Sequence, residues 1–355
     1  MFLCIHVRRY SWLILLLLNA SLFSQNSHEV ENFQTEDSLF YQHKRNLEEA
    51  KKNGGHLLIA HEYLKMGSFY FESGIYNLAI QQYADGLAFC NRDKDTIFSI
   101  LSNKIGEVYL SRNNFEIAKR YLVSAIEASE KLRYEAGLAK GTALLGFCLE
   151  KTGEYKDALV LQKQSLAIFT KINDPNGRAL AYENIGSIYE DLENYPKALE
   201  YFEKAHNIVK GKRNTEEAVV LNNIGDVFRK MGNYKIALYY TNNALNVAQE
   251  LRDLHQLKSA YKDLSKTYVL LNDFEKAYSF LEQHILYNEI WLTQQNSQQI
   301  NVLNAIYDTD KKGAQIALLQ EQNNTASVAF PKNRTVYNSN LLTLNSNCHN
   351  ENQQV

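Results

Sequence analysis

One pattern recurs along most of this 355-residue chain at intervals of 39 or 40 residues. In residues 180–205, apolar side chains recur at helical spacing in two runs, and Glu193-Asn194 interrupts the pattern between them. This predicts two amphipathic helices folded back on each other. Gly186 lies inside the first run, where glycine costs about 1 kcal/mol relative to alanine, so we expect another helix to pass close to it. Its equivalents, which with Gly186 we call the marker positions, are Gly67, Gly106, Gly146, Gly225 and Ser265.

Two more positions keep the same register in all six copies. An aromatic residue follows each marker position by nine residues and an alanine follows it by twelve. The aromatic residues are Tyr76, Phe115, Tyr155, Tyr195, Tyr234 and Phe274. The alanines are Ala79, Ala118, Ala158, Ala198, Ala237 and Ala277. Such a register predicts an all-α array of six helix pairs over residues 56–290.

The alternation of small and aromatic residues resembles the tetratricopeptide repeat, in which helix pairs stack into a right-handed superhelix, an α-solenoid. The period of about 40 residues exceeds the usual 34 of that repeat. The pattern is therefore similar to the long-repeat branch, which includes kinesin light chains and bacterial peptide-sensing regulators. The resemblance implies a fold and a concave binding surface, without a particular ligand.

The N-terminal residues 1–24 have the composition of a secretory signal peptide. His6, Arg8 and Arg9 precede an apolar run from Trp12 to Leu18, which is short for a membrane span of about 20 residues. We therefore expect a periplasmic or secreted protein. An uncleaved inner-membrane anchor is the alternative, because the segment lacks a well-formed cleavage site. Residues 25–55 predict a polar segment and a capping helix that ends at the Asn53-Gly54-Gly55 stop signal.

The C-terminal part of the chain predicts a long helix or coiled-coil junction over 291–322 and a disordered, asparagine-rich tail over 323–355. Residues 307–319 resemble the junction that follows the repeats in Bacteroidetes sensor kinases and helix-turn-helix regulators. That resemblance implies a sensory input module of a two-component or transcription-regulatory system. We expect the tail to stand in place of the output domain.

Composition and motifs argue against several classes of function. The chain has 38 basic and 40 acidic residues and no basic stripe, so we expect no nucleic-acid partner. It contains no Walker loop, no HExxH and no CxxC motif. We therefore predict a protein that is not an enzyme and binds no cofactor or metal. Cys90, Cys148 and Cys348 are expected to be thiols.

Asparagines close to the marker positions identify a candidate peptide-binding groove on the first helices of the pairs. In long-repeat relatives, asparagines at these positions bind the backbone of an extended peptide, since an amide both donates and accepts hydrogen bonds. The alternative is that they bond a neighbouring helix. The candidate groove residues are Asn103, Asn184, Asn222, Asn223, Asp226, Arg229, Lys262 and Lys266. The resulting prediction is an exported, non-enzymatic scaffold for a peptide or protein, with the sensory module as the alternative.

Overall fold

The computed structural model describes residues 39–329, and every element in this range is a helix. The predicted signal peptide, the polar residues 25–38 and residues 330–355 lie outside the described residues. The helices are α1 (39–53), α2 (His56–Glu72), α3 (Tyr76–Leu87), α4 (Thr96–Ser111), α5 (Phe115–Leu132), α6 (Glu135–Lys151), α7 (Tyr155–Lys171), α8 (Pro175–Asp191), α9 (Tyr195–Val209), α10 (Thr215–Lys230), α11 (Tyr234–Leu251), α12 (Leu254–Leu270) and α13 (Phe274–Ala329).

Helices α2 to α13 form six consecutive pairs, and each pair packs against the next. The first helices of successive pairs (α2, α4, α6, α8, α10 and α12) also contact one another. They therefore lie side by side and form one continuous surface. The predicted all-α solenoid is confirmed, with α1 packed against the first pair through Leu47, Ala50, Ile59 and Tyr63.

The marker glycines allow the two helices of a pair to approach closely. A Cβ atom placed on Gly186 would lie 2.7 Å from the ring of Phe202, which is completely buried. At Gly106 the same atom would lie 2.6 Å from Leu122, the equivalent residue of the second repeat. The loss of helix propensity at these glycines is thus offset by a large side chain of the second helix packing directly on the first.

The turn within each pair has the same backbone geometry in all six repeats. The residue seven positions after the marker has a positive φ, between 55° and 83°. The next residue donates its N–H to the carbonyl five residues before it, as in a Schellman cap. Glu193 adopts this left-handed conformation with φ 56°, although it has neither the freedom of glycine nor the local hydrogen bonding of asparagine. The residues concerned are Gly74, Asn113, Gly153, Glu193, Gly232 and Asn272.

Aromatic stacks join the two helices in four of the repeats. The aromatic residue three positions after the marker stacks on an aromatic residue twelve positions further along, with ring centroids 5.4–6.0 Å apart. Offset stacking of this kind adds about 0.5–1.5 kcal/mol per pair beyond the buried area. The pairs are Tyr109–Tyr121, Tyr189–Tyr201, Phe228–Tyr240 and Tyr268–Phe280.

The predicted long C-terminal helix is confirmed, and its bounds are wider than expected. Helix α13 is one continuous helix of 56 residues, so the second helix of the sixth repeat and the predicted junction are a single element. Residues 323–329, which we expected to be disordered, are its last two turns. Asparagine content alone misled the prediction, because no proline, which would break the helix, occurs between Phe274 and Pro331. Within this helix, Gln299 Nε2 donates to the carbonyl of Gly74 in the first repeat at 3.3 Å.

None of the helices in residues 39–329 has an apolar stretch long enough to span a membrane.

The close approach at Gly186 can be tested by substitution. In Gly186→Ala, the new methyl group would overlap Phe202, and we expect a loss of about 1–3 kcal/mol of unfolding free energy from overpacking. Gly313→Ala is the matched control, because Gly313 is also helical and a Cβ there meets nothing within 4 Å. Thermal denaturation should show a lower Tm for Gly186→Ala and an unchanged or higher Tm for Gly313→Ala. Equal Tm values for the two variants would contradict the assigned packing.

Candidate peptide-binding groove

Two of the predicted groove residues lie below the surface. Asn103 is 5% exposed, and its Nδ2 donates to the carbonyl of Gly137 in the next repeat at 3.0 Å. Asn222 is 8% exposed, and its Nδ2 donates to Asp263 Oδ2 at 2.8 Å, also in the next repeat. Both amides therefore join neighbouring first helices, which is the structural role that the sequence left open.

The other two asparagines lie closer to the surface of the groove. Asn184 on α8 and Asn223 on α10 are half-buried and occupy the same register on adjacent helices. Asn184 Nδ2 donates to Gln162 Oε1, and Asn223 Nδ2 donates to Glu183 Oε1, each at 3.4 Å. These distances exceed the usual 2.7–3.2 Å of a hydrogen bond. The two amides are thus held only weakly by their protein partners.

The charged candidates on α10 form a compact network. The Asp226 carboxylate accepts from Arg229 Nε at 3.0 Å and pairs with Lys230 Nζ at 3.2 Å. Lys230 Nζ also lies 2.8 Å from Glu190 Oε1 on the neighbouring α8. Burial raises the pKa of Glu190 to about 7. Burial also acts to raise the pKa of Asp226, but the hydrogen bond and charge of Arg229, together with the charge of Lys230, outweigh it and lower that pKa. The structure therefore brings Asp226 and Arg229 together and adds Lys230 and Glu190, which the sequence analysis missed.

The sixth repeat carries the basic end of the groove. Lys262 and Lys266 are exposed, and Lys266 Nζ pairs with Asp263 Oδ1 at 2.9 Å. Earlier on the same helix, Lys258 Nζ lies 3.3 Å from the centroid of the Trp291 ring. Burial and the nearby Lys262 lower the pKa of Lys258.

Glu183 is the titratable group closest to the candidate amides. Its Oε1 accepts from Asn223, and no Lys, Arg or His of the described residues forms an ion pair with it. Burial raises its pKa to about 7, and the negative charges of Glu150 and Glu216 act in the same direction. Glu150 itself is 3% exposed, pairs through Oε1 with Lys151, and has no hydrogen-bond partner at Oε2. The middle of the groove is therefore acidic, and cationic side chains balance only part of its negative charge.

A cavity of about 570 Å³ lies elsewhere, between the second helices α9 and α11. Its lining is mostly polar and includes His206, Asn207, Tyr239, Asn243 and Asn246. It was not predicted from the sequence, because the predicted groove was placed on the first helices of the pairs only. In the described part of the chain, no cluster of His, Cys, Asp or Glu has the composition of a metal site.

Part of the repeat array matches a known protein family. Residues 137–211 and 216–285 match the family model of the tetratricopeptide repeat. These residues cover the third to the sixth of the helix pairs described above. The third to sixth helix pairs therefore match tetratricopeptide repeats.

Solved structures with the same fold belong to several kinds of protein. The apo form of RapI is 20% identical with a TM-score of 0.54, and the match covers 71% of this chain and 99% of RapI. A Rap protein complexed with competence and sporulation factor is 17% identical with a TM-score of 0.52, over 71% of this chain and 80% of that one. A signal-transduction ATPase with a tetratricopeptide repeat sensor, from Pyrococcus horikoshii, is 18% identical with a TM-score of 0.55, over 79% of this chain and 45% of that one. At these identities the shared property is the fold.

A curated relative also matches part of the sequence. The Tonsoku-like protein of Drosophila melanogaster is 22% identical over 184 residues, which is 46% of this chain and 13% of that protein. This chain thus spans only a small part of that relative's length.

The raised pKa of Glu183 predicts a pH dependence of stability. Its folded pKa of about 7 lies above the ordinary value of 4.5, so the folded state holds this proton more tightly and stability falls as the pH rises between these values. Glu183→Gln keeps the acceptor for Asn223 and removes the charge. We expect its Tm to equal that of the wild type near pH 4.5 and to exceed it at pH 8.

The matched control for this experiment is Glu200→Gln. Glu200 is exposed, and its hydrogen bond with Lys204 lowers its pKa. Neutralising it should not raise Tm at pH 8. Identical pH profiles for Glu183→Gln and the wild type, measured by calorimetry, would rule out an ionisation cost at Glu183.

Proposed function

We propose that this chain is a non-enzymatic scaffold that binds an extended peptide or protein segment along its first helices. The observation that carries the proposal is the pair Asn184 and Asn223. Both amides are half-buried and occupy equivalent positions on the adjacent helices α8 and α10. Their contacts to the side chains of Gln162 and Glu183 are long, at 3.4 Å each. A ligand backbone would replace these weak contacts with shorter hydrogen bonds.

The spacing of the two amides suits an extended chain. Adjacent helices pack about 8–10 Å apart, and an extended peptide advances about 3.3 Å per residue. Asn184 and Asn223 would therefore bind backbone groups about three residues apart. Such contacts supply affinity without demanding a particular side chain, and the charged residues on α8, α10 and α12 would select among sequences.

The fold comparison agrees with this proposal. One of the similar structures is a Rap protein bound to competence and sporulation factor, and another is a Rap conjugation regulator in complex with the Phr* peptide. The bound partner is competence and sporulation factor in the first structure and a peptide in the second. We carry over only the kind of ligand, because the sequences are 17% identical to this chain.

The sensory input module is the second candidate function. It is favoured by α13, a helix of 56 residues that continues well beyond the last repeat, and by the likeness to a signal-transduction ATPase whose repeats form its sensor. Both candidate functions use the same groove. They differ in whether ligand binding also changes the conformation of α13. If ligand binding alters hydrogen exchange along residues 291–329, the chain transmits a signal; if protection is confined to the groove, it only captures.

Replacing both amides tests the groove directly. Peptides selected from a random display library on the full chain serve as probes, and their affinity is measured by fluorescence anisotropy. Asn184→Ala combined with Asn223→Ala removes two hydrogen bonds worth about 0.5–1.5 kcal/mol each. We expect about tenfold weaker binding or more, with a small change in Tm.

The control double variant is Asn243→Ala with Asn246→Ala. These amides lie on α11, along the cavity between the second helices, so they should leave the affinity unchanged. The groove assignment would be wrong if the Asn184 and Asn223 double variant lost stability and kept its affinity. In that event the two amides are braces like Asn103 and Asn222.

We also propose that the protein is exported, on the evidence of Arg8, Arg9 and the apolar run that follows. Cell fractionation with N-terminal sequencing should recover a shortened chain from the periplasm or the medium. A chain that still begins with Met1 in the membrane fraction would indicate an uncleaved anchor. The same chain in the cytosol would refute export.

A further inference from the structure

Glu183 on α8 differs in chemistry from the residues at the equivalent position of two other repeats. It lies three residues before its marker, where the second and fifth repeats have Asn103 and Asn222. Both of those asparagines are buried and donate a hydrogen bond to the next first helix. An ionised carboxylate has no hydrogen to donate. Glu183 therefore cannot act as the same brace between first helices.

The protein satisfies the Glu183 carboxylate only in part. Oε1 accepts from Asn223 Nδ2 at the long distance of 3.4 Å. Oε2 forms no hydrogen bond within the described part of the chain, and it is not among the enclosed polar atoms there. The side chain is half-buried in the groove. One carboxylate oxygen is thus accessible and without a protein partner among the described residues.

The charges that act on Glu183 have the same sign as its own. They belong to Glu150 on α6 and Glu216 on α10, and they add to burial in raising the pKa of Glu183. The cations of this part of the groove are paired with other carboxylates. The pairs are Lys151 with Glu150, Lys230 with Glu190, and Arg229 with Asp226. Glu183 is therefore the carboxylate that these cations leave without a counter-charge.

Glu150 shows a related deficit beside it. Its side chain is 3% exposed, and Lys151 Nζ lies 2.8 Å from its Oε1. Its Oε2 is enclosed and has no hydrogen-bond partner in the described residues. A buried carboxylate that lacks partners costs free energy, and a nearby positive charge lowers that cost. A cation at Glu183 would therefore stabilise both carboxylates.

We propose that the groove binds a lysine or arginine side chain of the peptide ligand, with its charged group at Glu183 Oε2. The inference rests on the proposed peptide-binding function and specifies its ligand. Asn223 lies next to Glu183, so the basic residue is at or beside the peptide residue whose backbone Asn223 holds. An ammonium or guanidinium group would form a charge-assisted hydrogen bond with this oxygen.

The position suits an organic cation better than the other charged groups a ligand could bring. A calcium or magnesium ion takes about six or more oxygen ligands, whereas Glu183 offers one carboxylate oxygen beyond its bond with Asn223. An acidic side chain would meet the negative charges of Glu183 and Glu150, and like charges in contact oppose binding.

The first test is the sequence of the peptides that the full chain selects from a random display library. Lysine or arginine should be enriched at one position relative to the unselected library. A selected peptide is then synthesised with norleucine in place of that lysine, or citrulline in place of that arginine, which removes the charge. Fluorescence anisotropy should show binding weaker by about tenfold or more. This comparison uses the wild-type protein and so does not depend on the folding of a variant.

The second test locates the charge on the protein. Glu183→Gln should bind the basic peptide about tenfold or more weakly and should no longer distinguish it from its neutral counterpart. Glu200→Gln is the matched control, because Glu200 is an exposed carboxylate on α9 paired with Lys204. It should keep both the affinity and the discrimination. Circular dichroism would establish that both variants are folded.

The outcomes separate this inference from the function on which it rests. Selected peptides without an enriched basic residue, whose affinity falls when Asn184 and Asn223 are replaced, would overturn the inference and leave the function standing. A basic peptide that binds Glu183→Gln as tightly as the wild type would place its charge elsewhere, and this result also overturns the inference. A library that yields no binder would overturn both.

Discussion

The structure depends on the close contact between a marker glycine and the large side chain that faces it from the second helix. At Gly186 the missing Cβ leaves the space that the Phe202 ring fills, and the ring is completely shielded from water. The same contact recurs in the first five repeats with tyrosine, leucine, glutamine, phenylalanine or threonine. Because this contact sets the distance between the helices of a pair, it also fixes how the first helices line up beside one another.

That alignment gives the asparagines of the groove different roles. Where an amide is directed into the contact between repeats, as in Asn103 and Asn222, it makes a short bond to the next first helix and becomes part of the scaffold. One residue later in the repeat, the helix turns the side chain toward the groove, and Asn184 and Asn223 make only long contacts. A rotation of about 100° per residue therefore separates a brace from a candidate binding group.

A repeat array must also terminate, and the two ends of this one differ. At the N-terminal end a separate helix covers the apolar surface of the first pair, as solenoids generally require. At the other end α13 continues as one helix, and its outer stripe keeps the apolar side chains of an inter-repeat contact. Phe274, Tyr278 and Leu281 at the start of this helix are therefore exposed.

The sequence by itself determined the fold, because the small, aromatic and alanine positions recur in register and only stacked helix pairs satisfy that period. It also placed the candidate amides on the correct helices. Only the tertiary structure decided which of those amides are buried, since a one-residue difference in register does not reveal the depth of the groove. The network of Asp226 with Glu190 and Lys230 could not be predicted from the sequence either. It joins residues about 40 positions apart, which the stacking of α8 on α10 brings together. The position at which α13 ends was also predicted wrongly. The asparagine-rich composition of residues 323–329 indicated disorder, whereas a helix continues until a residue such as proline breaks it.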